Sequence, residues 1–176
     1  MRILPSKHNP FSKAFTLIEL ILIVVILGIL TAVTIPRLNS VHEMKLNSAV
    51  KKVAVDIEYA QSAALSRNTD TRIVFDASSD SYYAEIYNDG SWAFLADPVY
   101  RGDMNVDFQA DNSQFKDVDI DSADFNSGSV LRFNWEGTPA DGGGSALAAQ
   151  GILNFSFRGN SLSLLVSPGT GKITVQ

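Results

Sequence analysis

Apolar residues are arranged along this chain in three ways, and each predicts a different element. From Leu20 to Ile35 every residue is apolar, glycine or threonine. With the preceding FTLIE the run reaches 21 residues from Phe15. A helix of that length spans about 32 Å, close to the hydrocarbon thickness of a bilayer. Pro36 lacks an N–H and disrupts the helix where the run ends. Beyond it, Leu46, Val50, Val53, Ile57, Ala60 and Ala64 recur at spacings of four and three, the stripe of an amphipathic helix. Lys45, Lys51, Lys52, Asp56 and Glu58 lie mostly off the stripe and read as a solvated face. Lys52 and Asp56, four apart, support the helix weakly. The loop-favouring SRNTD at 66–70 should end it.

The third pattern is short and β-rich. TRIVFDA (71–77) and SYYAEIY (81–87) read as strands, and NDG after the second is a hairpin signal leading into SWAFL. SVLRFNW (129–135) is a further strand. ILNFSFR, a turn at Gly159–Asn160, SLSLLVS, the turn PGTG and KITVQ form an antiparallel meander. TPADGGGSALAAQG reads as a flexible Gly/Ala-rich loop, and residues 98–127 show no clear period. One long helix followed by strands gives an α+β class, with the helical stripe packed across an antiparallel sheet.

Composition narrows the chemistry. There is no cysteine, hence no disulfide framework, thiolate metal site or cysteine nucleophile. The histidines are His8 and His42, too few for a nucleophilic triad or a transition-metal site. No phosphate-binding glycine loop is present. The residues therefore imply no enzyme, cofactor or metal. Asp117, Asp119, Asp121 and Asp124 form DVDIDSAD. The first three would share one face of a strand, but as a calcium loop the stretch has Ser122 and Gly128 where glycine and glutamate are required. A solvated acidic surface is the simpler reading.

Net charge is −5 overall. The first 14 residues carry Arg2, Lys7 and Lys13 and no acid, which leaves 11 basic against 19 acidic residues and a net of −8 for the rest. That field argues against nucleic-acid binding, and near the C-terminus only Arg158 and Lys172 offer cations for phosphate. The basic N-terminal stretch before the apolar run predicts a cytoplasmic N-terminus and a translocated C-terminal domain.

Glu19 complicates the apolar run. A carboxylate in a membrane helix costs about 2.5–3.5 kcal/mol and marks a function with a partner. A secretory signal would have a shorter core and a small-x-small site, whereas Ala32 has Leu30 two positions earlier. A plain anchor leaves the glutamate unexplained. Cleavage between Ala14 and Phe15 would create an ammonium that could neutralise Glu19 of an adjacent subunit in low dielectric.

KAFTLIEL resembles the leader signal of type IV prepilins and pseudopilins: a short basic leader, a small residue, then phenylalanine, with glutamate as the fifth mature residue. Gly28 within the run and Pro36 at its end match as well. The resemblance implies that prepilin peptidase removes residues 1–14 and methylates the Phe15 amine. It implies that 15–36 is the transmembrane and filament-core helix, with a gentle kink at Pro36. Residues 37–67 continue as an amphipathic helix into a β-rich periplasmic head, 68–176. Glu19 would serve subunit assembly with other pseudopilins or pilins from the bacterial inner membrane. The departure is Ala14, where the family has glycine. DIEYAQSAALSRN with RIVF, and the terminal LSLLVSPGTGKITV, are similar to the H-type minor pseudopilins of type II secretion and the FimT/FimU-type minor pilins. The expected role is a minor pseudopilin of a secretion pseudopilus. The alternative is a minor pilin of a type IV pilus, in DNA uptake or adhesion.

Overall fold

The computed structural model describes residues 15–176, the side chains of 33–40 excepted, and it divides into two compact units at Asn39/Ser40. The expected leader, with Ala14, lies outside the described residues. Helix α1 (Leu17–Arg67) starts at Thr16, whose Oγ1 accepts the Glu19 N–H at 3.3 Å. Thr-x-x-Glu is the sequence signature of a capping box. Helical backbone continues through position 36. At the other end Asn68 takes φ 52°, and the Thr69 N–H reaches back to the Ala64 carbonyl at 3.2 Å. This left-handed cap satisfies a carbonyl that the helix leaves open.

In the unit Ser40–Gln176, two antiparallel sheets share a core with the helix. The first contains β1 (Thr71–Asp76), β2 (Ser81–Asn88), β3 (Ser91–Phe94), β4 (Asn105–Asp107), β6 (Val130–Phe133) and β7 (Pro139–Ala140). Its order is β3-β2-β1-β6-β7, with β4 also pairing β2. The second is β10-β9-β8-β5, made of β5 (Asp119–Asp124), β8 (Gly151–Phe157), β9 (Asn160–Val166) and β10 (Ile173–Val175). Period-2 burial along β1 and β8 aims Ile73, Phe75, Leu153, Phe155 and Phe157 inward. They meet the helical stripe, in which Leu46, Val50, Val53, Ile57, Ala60 and Ala64 are all buried. The predicted NDG hairpin forms across Asn88 and Ser91, with Asp89 at φ 46° and Gly90 at φ 88°, the two positive-φ residues of a type I′ turn. The C-terminal meander is present in register.

Three expectations change and a fourth holds. Asp56 is not on a solvated face: it is 3% exposed, accepts the Tyr82 hydroxyl at 2.6 Å and pairs with Lys52 at 2.5 Å. A carboxylate interrupts the polar face because a tyrosine from β2 reaches it inside the core. The hairpin turn between β8 and β9 sits at Arg158–Gly159, both at positive φ, one residue earlier than predicted, because Asn160 pairs with Phe157. The Gly/Ala-rich stretch is held by hydrogen bonds. Pro139–Ala140 pairs with β6, and Asp141 Oδ1 accepts the N–H groups of Gly143 and Ser145 at 2.9 and 3.0 Å. The acidic stretch stays a solvated surface: Asp117, Asp119 and Asp121 are exposed around buried Val118 and Ile120, and a bulge between Ile120 and Ser122 shifts the alternation beyond them so that Asp124 is exposed as well.

Candidate assembly surface

Phe15 lies two residues before α1, and Glu19 lies in its first turn. Phe15 is 73% exposed, and Glu19 is exposed and, among the described residues, has no cation partner. Its backbone N–H is capped by Thr16, so the glutamate also sits where a carboxylate favours a helix N-terminus. The Thr16-x-x-Glu19 spacing carries the signal for this local role in the sequence.

From Leu17 to Leu30 every Leu, Ile and Val is exposed, between 44% and 78%. Exposed apolar residues therefore occur on all sides of this stretch of α1. A helix that is apolar all round is stable only when lipid or other helices cover it. Among the described residues no helix is long and apolar enough to cross a membrane. The apolar run continues in sequence into residues 33–35, whose side chains lie outside those described. Thr31 turns its hydroxyl onto the Leu27 carbonyl at 2.7 Å, which removes a polar group from the apolar surface. The Pro36 side chain lies outside the described residues.

The other candidate residues are scattered. His42 packs edge-on against Phe157, ring centroids 5.4 Å apart, and Lys45 Nζ sits 4.8 Å from the same ring. Asp117, Asp119, Asp121 and Asp124 are exposed. Partial desolvation, and then the charges of Asp80, Asp121 and Asp117, raise the Asp119 carboxyl above its usual value. No group of three or more His, Cys, Asp or Glu among the described residues could hold a metal ion. Arg158 and Lys172 flank opposite ends of β9, since Arg158 precedes Asn160 and Ser167 N–H bonds the Lys172 carbonyl at 2.9 Å. Seven strand residues separate those ends by about 23 Å, so the two cations do not form one phosphate-binding patch.

One cluster had not been anticipated. Arg72 and Arg132, from neighbouring strands β1 and β6, lie 4.2 and 5.4 Å from the Trp92 ring centre. Tyr87 meets Trp92 edge-on at 5.3 Å, and Trp135 stands 53% exposed beside them. Arginine and aromatic residues at outward positions of TRIVFD, SWAF and LRFNW were the available signal. Their convergence depends on the pairing of β1 with β6 across some 60 residues.

Comparison with known proteins gives a family. The family described as Type II transport protein GspH matches residues 49–170. Among curated proteins none matches the chain. The fold is similar to that of the minor pseudopilin EpsH from the type 2 secretion system of Vibrio cholerae, with a TM-score of 0.54 and 8% identity, covering 75% of this chain and 96% of that one. It is also similar to the type IV minor pilin FimU of Pseudomonas aeruginosa PAO1, with a TM-score of 0.51 and 18% identity, covering 76% and 90%. At these identities the likeness is one of fold: a long helix on antiparallel sheets, as the patterning predicted.

Proposed function

The chain belongs to the GspH family of type II transport proteins, and we propose that it is a minor pseudopilin, a structural subunit of a secretion pseudopilus. The observation that carries this reading is the apolar surface of Leu17–Leu30 with one carboxylate at its head, in a chain of this family. Prepilin peptidase removes residues 1–14, and the Phe15 ammonium that results is methylated. The subunit sits in the inner membrane with its β-rich unit in the periplasm. On assembly, Glu19 takes the Phe15 ammonium of a neighbouring helix as counter-ion. That pairing offsets the desolvation of both charges and fixes how far one helix slides along the next. The role is assembly and not catalysis. A minor pilin of a type IV pilus would use the same residues in another filament, and secretion genes beside this gene would favour the pseudopilus.

Two measurements test this. The mass of the membrane-extracted chain should correspond to methylated Phe15–Gln176, and a chain beginning at Met1 would refute cleavage. Glu19→Ala should insert in the membrane normally yet co-purify poorly with the other pilin-like subunits. Normal co-purification would refute the pairing.

A further inference from the structure

The aromatic and arginine cluster on the outer face of the first sheet encloses a groove of about 480 Å³. Three rings line it: Tyr87, Trp92 and Trp135. Tyr87 and Trp135 are 41% and 53% exposed, while Trp92 is half-buried beside the Arg72 guanidinium. The rest of the lining is polar: Asn68, Thr69, Asp70 and Arg132.

The groove is held in shape by its own hydrogen bonds. Asp70 Oδ2 accepts from the Arg132 guanidinium, and its Oδ1 accepts the Trp135 N–H at 3.0 Å. The Thr69 hydroxyl donates to the Tyr87 carbonyl at 2.7 Å, and the Tyr87 N–H donates to the Asp70 carbonyl at 2.8 Å. The segment after α1, the end of β2 and the residues after β6 are thereby tied together. Such a site binds without first paying to order itself.

Its chemistry selects among occupants. Arg132 is paired with Asp70 and Arg72 with Glu85, so the groove is locally neutral in a chain of net charge −5. Neither a polyanion nor a basic segment is favoured. Tyrosine, tryptophan and arginine also suit the centre of a protein contact, but no aliphatic side chain lines this groove, and among the described residues its ring edges carry polar groups without protein partners. Among the described residues the Asn68 amide, the Tyr87 phenol and both indole N–H groups donate to no other protein group. Flat rings with unspent donors at their edges suit a polymer that alternates C–H faces with hydroxyl and amide groups.

We propose that this groove binds a neutral glycan, the N-acetylhexosamine strand of the cell wall. The choice of the cell wall as its source rests on the periplasmic placement proposed above. The ligand's rings lie on Trp135 and Tyr87, and its hydroxyl and acetamido oxygens accept from Asn68 and the indoles. A subunit with this site would hold its filament against the wall it must traverse.

The chain contains two tryptophans, and both line the groove, so tryptophan emission, excited at wavelengths that tyrosine does not absorb, reports on this site alone. The full chain in detergent is titrated with a β-1,4-linked N-acetylglucosamine tetramer, and separately co-sedimented with purified sacculi. The expected result is a saturable shift of emission to shorter wavelength and retention on sacculi. Both should weaken about tenfold in Trp135→Ala and in Tyr87→Ala, with circular dichroism unchanged. Retention should survive protease stripping of the sacculi and be lost on glycan digestion. Absence of an emission change up to millimolar tetramer, or retention unaltered by Trp135→Ala, would overturn the proposal. So would retention lost on protease stripping, which would point to a protein partner. These readouts need no filament, so failure of the Glu19 pairing would leave them standing, and their failure would not touch it.

Discussion

Tyr82→Phe isolates one hydroxyl in the core. Tyr82 is fully buried, packed at 5.7 Å from Phe75 and 6.0 Å from Phe108, and phenylalanine keeps all of that contact. What disappears is the 2.6 Å hydrogen bond to Asp56. Asp56 keeps Lys52, at 2.6 and 2.5 Å, but Lys52 is partly exposed and its charge is screened by solvent. A hydrogen bond to a charged group contributes about 1.5–3 kcal/mol. For a unit of this size that corresponds to a fall in Tm of roughly 5–12 °C, to be read by urea and thermal unfolding of the Ser40–Gln176 unit. The alkaline limb gives a second signature. Burial, and then the charge of Asp56, raise the Tyr82 phenol well above 10.0. A raised folded value means that this group's stabilisation is complete below about pH 10 and is lost as pH climbs toward the folded value. The slope is about 1.4 kcal/mol per pH unit. The variant lacks that slope, so its deficit should narrow above pH 10. A variant within 0.5 kcal/mol of wild type at pH 7, with an unchanged alkaline limb, would refute the account of the buried pair.

Other outcomes follow from packing and local electrostatics. A Cβ at Gly151 would stand 2.5 and 2.7 Å from two ring atoms of the buried Phe125, so Gly151→Ala should cost about 1–3 kcal/mol in urea unfolding, and a neutral result would mean that the ring shifts freely. The hydrogen bond from Asn126 and those from Ser145, Gly143 and Gly144 hold the Asp141 carboxyl below its usual 3.8. The fastening of this turn is therefore present above pH 3.8 and lost as pH falls through the lower folded value. Asp141→Ala should speed amide exchange at Gly143 and Ser145 at neutral pH, and unchanged exchange would show the turn to be held elsewhere.

Much of this architecture could be read from the chain because the signals are local. The stripe from Leu46 to Ala64 is a matter of spacing, and NDG carries its own turn chemistry. Asp56 was misread because helical spacing says which side a residue occupies, whereas its burial depends on a tyrosine 26 residues away. Likewise, Asp119 to Asp124 alternates in sequence, but a bulge after Ile120 in the pairing with β8 shifts the later residues by one, and Asp124 is exposed. Of the candidate assembly surface, Glu19 and the apolar run can be read from the chain because both lie in one continuous segment. The aromatic groove was not, since it gathers the end of α1, β2, β3 and the residues after β6.

The seam between α1 and the two sheets has a mechanical meaning. Its buried residues run from Leu46 to Ala64, a contact about 27 Å long. Tension applied along the helix axis from its N-terminal side would load all of those contacts together, in shear. The hydrogen-bonded ladders of the sheets would not be peeled one rung at a time. A subunit hauled by its helix could therefore be dragged without unravelling, and its weakest direction should be a pull on the C-terminal strand β10, which pairs through three residues.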